Sequence, residues 1–387
     1  MLRATESPSR LLVVDDNEMN RDMLSRRLQK QGYIVDMAED GKSALAKLGQ
    51  HEFDLVLLDI MMPEMDGYEV LARIKGSDAL QHIPVVMISA VGETESVVRC
   101  IELGADDYLP KPFNPVILRA RVSASLDKKR LRDRERLYAA SLEREMEIGR
   151  EIQRGFLPDV LPQPDGWKLA AAFAPARQVA GDFYDAFILR SGKLAIIVSD
   201  VCDKGVGAAL YMALFRSLLR STALEQAATA DAAEVLMHAV RVTNDYIATT
   251  HGRSNMFATA FFGVVDPGEG SLLYVNAGHE APLLVGRSGI RTQLLTTGPA
   301  LGLLPDMPFR IDREVLAPGE TLLIFSDGVT EAKGDSGFFG EKRLFSLANQ
   351  SFDSPEALLT RVSESVSAHV GSTERSDDIT MLVLARG

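Results

Sequence analysis

Cysteine is nearly absent: the 387 residues hold two, Cys100 and Cys202, far apart and without metal-ligand spacing. A disulfide framework and a zinc site are thereby disfavoured, and a reducing cytoplasm fits. Long apolar runs are also missing. Stretches such as Leu11–Val14 and Leu194–Val198 fall far short of the roughly 20 apolar residues of a membrane span, so no membrane insertion is expected. Residues 1–10 contain no apolar h-region, and a signal peptide is not expected. Positive charge is short as well, with 42 Lys and Arg against 54 Asp and Glu, a formal charge of −12. General binding to nucleic acid or an anionic membrane needs the opposite balance. What is present is ordinary for a globular chain, 46% hydrophobic and 25% charged. At roughly 150 residues per domain the length predicts two or three domains.

The first stretch alternates apolar runs with helical periodicity. Strands are predicted at 11–15, 33–38, 54–59, 84–89 and 107–110, and helices at 18–31, 41–49, 67–75 and 93–103. A fifth helix is predicted from Asn114, a suitable N-cap followed by Pro115. Such alternation implies a parallel, doubly wound sheet whose reactive crevice lies at the carboxyl ends of the strands. Those ends carry Asp15-Asp16, Asp59, Ser89-Ala90 and Lys111-Pro112. Three converging carboxylates need a hard divalent cation, and Mg²⁺ suits oxygen ligands. Asp59 would then be the nucleophile toward phosphorus, with Lys111 and the Ser89 hydroxyl stabilising the phosphoryl group. The plainer alternative is that each strand-end aspartate caps the helix that follows.

The motifs Val-Val-Asp-Asp-Asn, Asp59-x-x-Met-Pro-x-Met-Asp-Gly, Ser89-Ala and Lys111-Pro-Phe resemble, in order and spacing, the receiver domain of two-component response regulators. The resemblance spans about residues 10–126 and implies a flavodoxin-like α/β fold with a five-stranded parallel sheet. It further implies phosphorylation of Asp59 by a sensor histidine kinase. Mg²⁺ would be held by Asp16, Asp59 and the Met61 carbonyl with Asp15 beside them, and Tyr108 stands at the family's aromatic switch position. Beyond this domain there is no basic helix-turn-helix candidate, so a DNA-binding output is disfavoured.

Residues 127–154 mix nine basic with seven acidic side chains, contain no proline, and have Gly149 as their one glycine. That composition reads as a long helical connector, taken here over 127–158. Leu131, Tyr138, Leu142, Ile152 and Phe156 form an imperfect seam broken by Glu145 and Gly149. A solvated single helix and a two-stranded coiled coil, hence a homodimer, both fit it.

From Trp167 the pattern becomes rich in short strands, at 168–173, 183–189, 193–199, 258–266, 271–277 and 321–326, with helices at 207–223, 231–249 and 354–370. Clustered strands between helix groups predict antiparallel sheets covered by helices, an α+β layered fold over 159–387. Four acidic motifs sit at strand ends: Gly181-Asp182-Phe-Tyr-Asp185, Ser199-Asp200-Val-Cys-Asp203-Lys-Gly205, Ser326-Asp327-Gly-Val-Thr-Glu331 and Ser376-Asp377-Asp378-Ile-Thr380. Any one alone is most simply a turn. Gathered in one cleft, they would require about two divalent ions, which would activate a water and clamp a phosphoryl group. No Ser-His-Asp arrangement is evident, and Cys202 has no activating histidine in the sequence around it.

Residues 156–383 resemble the protein phosphatase 2C-like (PPM) superfamily in its bacterial SpoIIE/RsbU branch. The marks are Pro175-Ala-x-x-Val-Ala-Gly-Asp182-Phe-Tyr-Asp185, Asp200-Val-x-x-Lys-Gly-Val-Gly-Ala-Ala-Leu, Asn276-Ala-Gly-His279, Gly298-Pro-x-Leu-Gly-Leu, Phe325-Ser-Asp-Gly-Val-Thr-Glu-Ala and Asp377-Asp-Ile-Thr. The resemblance implies two Mn²⁺ or Mg²⁺ ions held by Asp182, Asp200, the Val201 carbonyl, Asp327 and Asp378. It implies hydrolysis of phosphoserine or phosphothreonine on a protein, usually a STAS-type anti-sigma factor antagonist. One departure stands out. The branch often has Asp-Val-Ser-Gly-His-Gly where this chain has Asp-Val-Cys-Asp203-Lys204-Gly, which opens the role of Lys204. His279 has two readings, a contact to substrate or metal-bound water and a structural hydrogen bond in the tight Asn-Ala-Gly-His turn, of which the turn favours the second. The competing reading is a catalytically inactive phosphatase fold that binds a partner in a phosphorylation-dependent way.

Overall fold

The run Leu11–Val14 has no polar face to offer water, so it can settle only in a sheet covered on both sides. In the computed structural model, which describes residues 8–90, 94–373 and 375–387, it does so as β1 (Arg10–Val14). Contacts divide the chain into two units, residues 1–142 and 143–387. In the first, β1 joins β2 (Ile34–Ala38), β3 (Leu55–Asp59), β4 (Val85–Ala90) and β5 (Asp107–Lys111) in a parallel sheet of order β2-β1-β3-β4-β5. Side chains alternate between its faces. Leu12, Val14, Val56, Leu58, Val85 and Met87 fill one core, while Leu11, Val13, Leu55, Leu57, Val86 and Ile88 fill the other. Each such burial is worth about 1.5–3 kcal/mol.

The helices are α1 (Glu18–Gln29), α2 (Gly41–Leu48), α3 (Gly67–Lys75), α4 (Thr94–Glu102) and α5 (Pro115–Arg154). The start predicted at Glu93 lies outside the described residues. Asn17, Asp40 and Asp66 cap α1, α2 and α3 with their side chains. Asp15, Asp16 and Asp59 therefore do not serve as the caps that the plainer alternative would make them. Helix α5 has 40 residues, about 60 Å at 1.5 Å per residue. Leu118, Val122 and Leu126 anchor its beginning in the second of these cores. Farther on, Leu131, Leu137, Tyr138, Leu142, Ile148 and Ile152 are exposed.

The second unit is built on two antiparallel sheets. One has the order β13-β10-β9-β8-β7, from β7 (Phe183–Ile188), β8 (Leu194–Val201), β9 (Ala258–Val265), β10 (Ser271–Ala277) and β13 (Asp312–Val315). The other, β12-β11-β14-β17-β6, comprises β6 (Trp167–Ala174), β11 (Leu283–Gly286), β12 (Gly289–Gln293), β14 (Thr321–Phe325) and β17 (Ile379–Arg386). A two-residue pair, β15 (Lys333–Gly334) with β16 (Gly337–Phe338), stands apart.

Alternation again sorts the side chains. Leu194, Ile196 and Val198 of β8 meet Leu322, Ile324, Leu382 and Leu384 between the sheets. Ala195 and Ile197 point the other way, toward α6 (Val206–Glu225) and α7 (Ala232–Thr250). Met381 and Val383 likewise face α9 (Glu341–Ala348) and α10 (Pro355–Val370). The result is a helix–sheet–sheet–helix sandwich. A single turn, α8 (Asp327–Thr330), follows β14. No helix among the described residues is long and apolar enough to cross a membrane.

Candidate functional site

In the first unit the parallel strands end side by side and bring their acids together. One oxygen each of Asp15, Asp16 and Asp59 lies within 4.8 Å of the others. Asp15 and Asp59 are buried, whereas Asp16 is exposed. The Lys111 ammonium reaches across from β5 to Asp59 Oδ2 at 2.7 Å and Asp15 Oδ2 at 2.9 Å. Burial, with the Asp15 charge behind it, raises the Asp59 pKa against the pull of Lys111. Burial alone would lower Lys111, but its bonds to Asp59 and Asp15 raise it. Ser89 is buried at the end of β4, one residue past the Asp59–Ile88 register pair. Met61 is exposed on the loop after β3. Helix α3 begins hard against Asp59: a Cβ on Gly67 would stand 2.2 Å from the Asp59 carbonyl oxygen. Tyr108 is half-buried on β5, with the Arg121 guanidinium 4.9 Å from its ring centre. Three hard oxygen donors facing one ammonium fit a divalent cation such as Mg²⁺.

In the second unit the four motifs converge from both sheets. Phe183 pairs with Ser199, so the residues just beyond, Asp182 and Asp200, oppose each other at the end of the β7–β8 ladder. Phe325 pairs with Met381; beyond them the Ser326 N–H donates to the Thr380 carbonyl at 2.9 Å, and the Thr380 N–H donates to the Ser326 side-chain Oγ at 3.0 Å. Asp327 and Asp378 follow at the same end. Asp378 fastens the second sheet to the first, its carboxylate accepting from Ala176 N at 2.7 Å and Gly181 N at 2.8 Å. Close approach of backbone is required here too, since a Cβ on Gly328 would meet the Asp378 carbonyl oxygen at 1.9 Å.

The electrostatics are those of uncompensated negative charge. Burial first, then the Asp200 charge, pushes Asp182 well above the carboxylate range. Burial and Asp327 raise Asp200 to about 7, and burial with Asp377 and Glu331 raises Asp327 to about 6. Burial also raises Asp378. Asp182 Oδ2 is buried without a hydrogen-bond partner. A buried, orphaned carboxylate oxygen amid three other carboxylates is a donor set for hard divalent cations. Among the described residues, no three carboxylate oxygens of this cluster come within the 4.8 Å of the Asp15 group.

A profile of the family described as Stage II sporulation protein E (SpoIIE) matches residues 190–387. The chain belongs to the SpoIIE family. A response regulator receiver domain profile matches residues 11–123, so a receiver is fused to a SpoIIE phosphatase domain. Protein IcfG of Synechocystis sp. is 43% identical over 262 residues, 62% of this chain and 41% of that protein. Response regulator PleD of Caulobacter vibrioides is 43% identical over 114 residues, 30% of this chain and 25% of that protein. The chain thus spans less than half the length of either relative. The SiaA-PP2C domain of Pseudomonas aeruginosa superposes with a TM-score of 0.55 at 21% identity, covering 65% of this chain and 98% of that domain. The likeness shows a shared PP2C fold.

Other residues of the SpoIIE domain find plain roles. His279 is buried; its backbone N–H donates to Asn276 Oδ1 at 2.8 Å and its ring Nδ1 meets Thr259 Oγ1 at 2.9 Å. The ring thus ties the turn to β9 through Thr259, while its Nε2 is buried without a hydrogen-bond partner. Cys202 Sγ accepts the Phe257 N–H at 3.2 Å, and burial raises its pKa, which makes it a poor nucleophile. Asp203, at φ 72°, points its carboxylate back at the Lys204 N–H. Val201 ends β8 with its carbonyl oxygen 2.7 Å from where a Gly181 Cβ would be.

Lys204 Nζ pairs with Asp377 Oδ2 at 2.8 Å and donates to the Ser376 carbonyl. It is also the cation whose charge is felt at Asp327. Two further acids stand beside the cluster, Asp377 and Glu280, which the motifs do not single out. Glu280 is half-buried, with burial and Asp327 raising its pKa. The adjacent Asp377-Asp378 pair was the available signal for the first; nothing in the run Gly-His-Glu marks the second.

Proposed function

We infer that this chain is a response regulator whose output is metal-dependent hydrolysis of phosphoserine or phosphothreonine on a protein. The observation that carries the reading is the convergence of Asp182, Asp200, Asp327 and Asp378 at one end of two packed sheets, where Asp182 keeps a buried oxygen without a partner. Bound there, two Mn²⁺ or Mg²⁺ ions would lower the pKa of a water and neutralise phosphoryl oxygens. The chain's own part is to hold the four carboxylates in place before substrate arrives. Asp378 is fixed by two backbone N–H groups, and the Ser326–Thr380 bonds keep Asp327 in register with it. Lys204, paired with Asp377, would meet an anionic substrate beside Asp327.

In the receiver, Asp59 would take a phosphoryl group from a sensor histidine kinase with Mg²⁺ at Asp15, Asp16, Asp59 and the Met61 carbonyl. Lys111 would neutralise the developing charge and Ser89 donate to a phosphoryl oxygen. Tyr108 is the proposed switch residue. A STAS-type anti-sigma factor antagonist is the proposed substrate class, on the strength of the SpoIIE membership.

The test is release of phosphate from a phosphoserine STAS protein by the purified chain in Mn²⁺. We expect Asp200→Asn and Asp327→Asn each to lower kcat by at least about 10³-fold, the scale of losing a group that acts in the transition state. Wild-type protein that binds the phosphoprotein without hydrolysing it would instead identify an adaptor.

A further inference from the structure

The charged tail of α5 contains one side chain that is not spent on solvent. Gln153 is 6% exposed, and it uses both ends of its amide on a single residue. Its Nε2 donates to the Ala180 carbonyl at 2.6 Å, and its Oε1 accepts the Ala180 N–H at 2.9 Å. Ala180 is fully buried. Gln153 thus does for this residue what a neighbouring strand would do, satisfying two backbone groups that water cannot reach. One turn earlier on the same helix face, a Cβ at Gly149 would lie 3.7 Å from Val179 Cγ1. Gly149 is one of the two residues that interrupt the apolar seam. The 3.7 Å is an ordinary contact distance, so the helix runs alongside Val179 at this turn.

The segment held this way leads straight into the aspartate cluster. Gly181, next after Ala180, donates its N–H to Asp378 Oδ2 at 2.8 Å. Its α-carbon is pressed against the Val201 carbonyl, where a Cβ would stand at 2.7 Å. Asp182 follows. Residues 179–182 therefore run between the last turns of α5 on one side and the ends of β8 and β17 on the other. Their position is set from both.

We propose that Gln153 is a positioning residue of the phosphatase site: through Ala180 it fixes the Gly181–Asp182 backbone, and so the spacing of Asp182 from Asp378 and Asp200. This rests on the reading that these aspartates hold divalent ions. Loss of the Gln153 amide leaves a buried N–H and a buried carbonyl unpaired, which the segment can relieve only by moving away from α5. A carboxylate cage that has moved binds cations less well, because donor spacing decides affinity. Glutamate at 153 would keep the bond from the Ala180 N–H and lose the donation to its carbonyl. Leucine of similar size would lose both.

The experiment is hydrogen exchange of the peptide covering residues 176–182 in the full-length chain, titrated with Mn²⁺. The readout is the Mn²⁺ concentration that gives half-maximal protection. We expect Gln153→Leu to raise that concentration by about tenfold or more, and Gln153→Glu to raise it by less. Leu157→Ala, which removes packing from the neighbouring core without touching Ala180, should leave it within about twofold. Equal values for wild type and Gln153→Leu would overturn the proposal, as would an equal rise in Leu157→Ala. If Gln153→Leu does not fold, Gln153→Glu decides by the same measure: a rise supports the role and an unchanged value removes it. Asp182→Asn tests the underlying reading separately, since unchanged Mn²⁺ protection in that variant would mean that the aspartates do not hold the metal.

Discussion

His279 stands in a domain crowded with carboxylates, where a histidine invites a catalytic role. Its surroundings argue for support instead. Burial lowers its pKa from 6.5 to about 4, so the ring is neutral in the folded protein at neutral pH. Below pH 6.5 the unfolded chain takes up a proton here that the folded chain refuses. The stability that His279 contributes is therefore full above that pH and is lost progressively as pH falls toward 4. Between pH 7 and pH 5 the loss is about 2 kcal/mol. Urea denaturation at both pH values should show wild type losing that much more than His279→Gln; equal losses would mean that the ring is not held neutral. At this scale the sequence was informative about residue type and motif, and less so about partners. The four aspartates, Lys111 and the bracing role of His279 could all be read from their motifs. Glu280 and Gln153 could not, because what distinguishes them is burial against segments distant in the chain.

Strand β7 shows how one element separates chemistry from architecture. Its motif contains two aspartates three residues apart that look alike in the sequence. Asp182 precedes the strand and faces other acids. Asp185 lies within it, fully buried, and is neutralised from α6 by Arg216 at 3.1 Å and Arg220 at 2.7 Å. Arg220 also lies over the Phe187 ring, 4.5 Å from its centre. Asp185 thus ties α6 to the sheet edge. Truncating it strands Arg216 with its charge largely out of water, and breaking a buried pair in this way costs about 3–5 kcal/mol. Asp185→Ala should lose about that much in chemical denaturation. Metal-free Asp182→Asn, which removes a repelled charge, should be at least as stable as wild type. A reversal of that order would exchange the roles assigned to the two.

The strands that escaped the sequence reading have physical reasons of their own. The β13 run Asp-Arg-Glu-Val alternates between half-buried and exposed at a sheet edge, so it lacks the apolar signature. The β11 run is four residues long and meets β12 across a bulge. The β17 run is apolar on both faces, buried at six of eight positions, and was read only as the tail of the Asp-Asp-Ile-Thr motif.

At the scale of the whole chain, the acidity that disfavours nucleic acid and anionic membranes as partners becomes partly local. Seven of the 54 acidic residues, Asp15, Asp16, Asp59, Asp182, Asp200, Asp327 and Asp378, belong to two candidate cation sites. The sites lie in different units, and α5 is the continuous element that starts in one and ends in the other. Its first turns are anchored by Leu118, Val122 and Leu126, and its last by Gln153. Between those anchors its side chains are mostly exposed, and a continuous helix can act as a rod. A rod transmits rotation, and phosphorylation adds about −1.5 to −2 charge beside Lys111 at its upstream unit. If α5 carries the signal, its register matters more than its length. One alanine inserted after Ala139 turns everything downstream by about 100°, whereas seven residues restore the face to within about 20°. We expect a phosphoryl mimic at Asp59 to change the phosphatase rate of wild type and of the seven-residue insertion by at least about threefold. It should leave the one-residue insertion and Asp59→Ala unmoved. An undiminished response in the one-residue insertion would show that the signal does not travel as rotation of this helix.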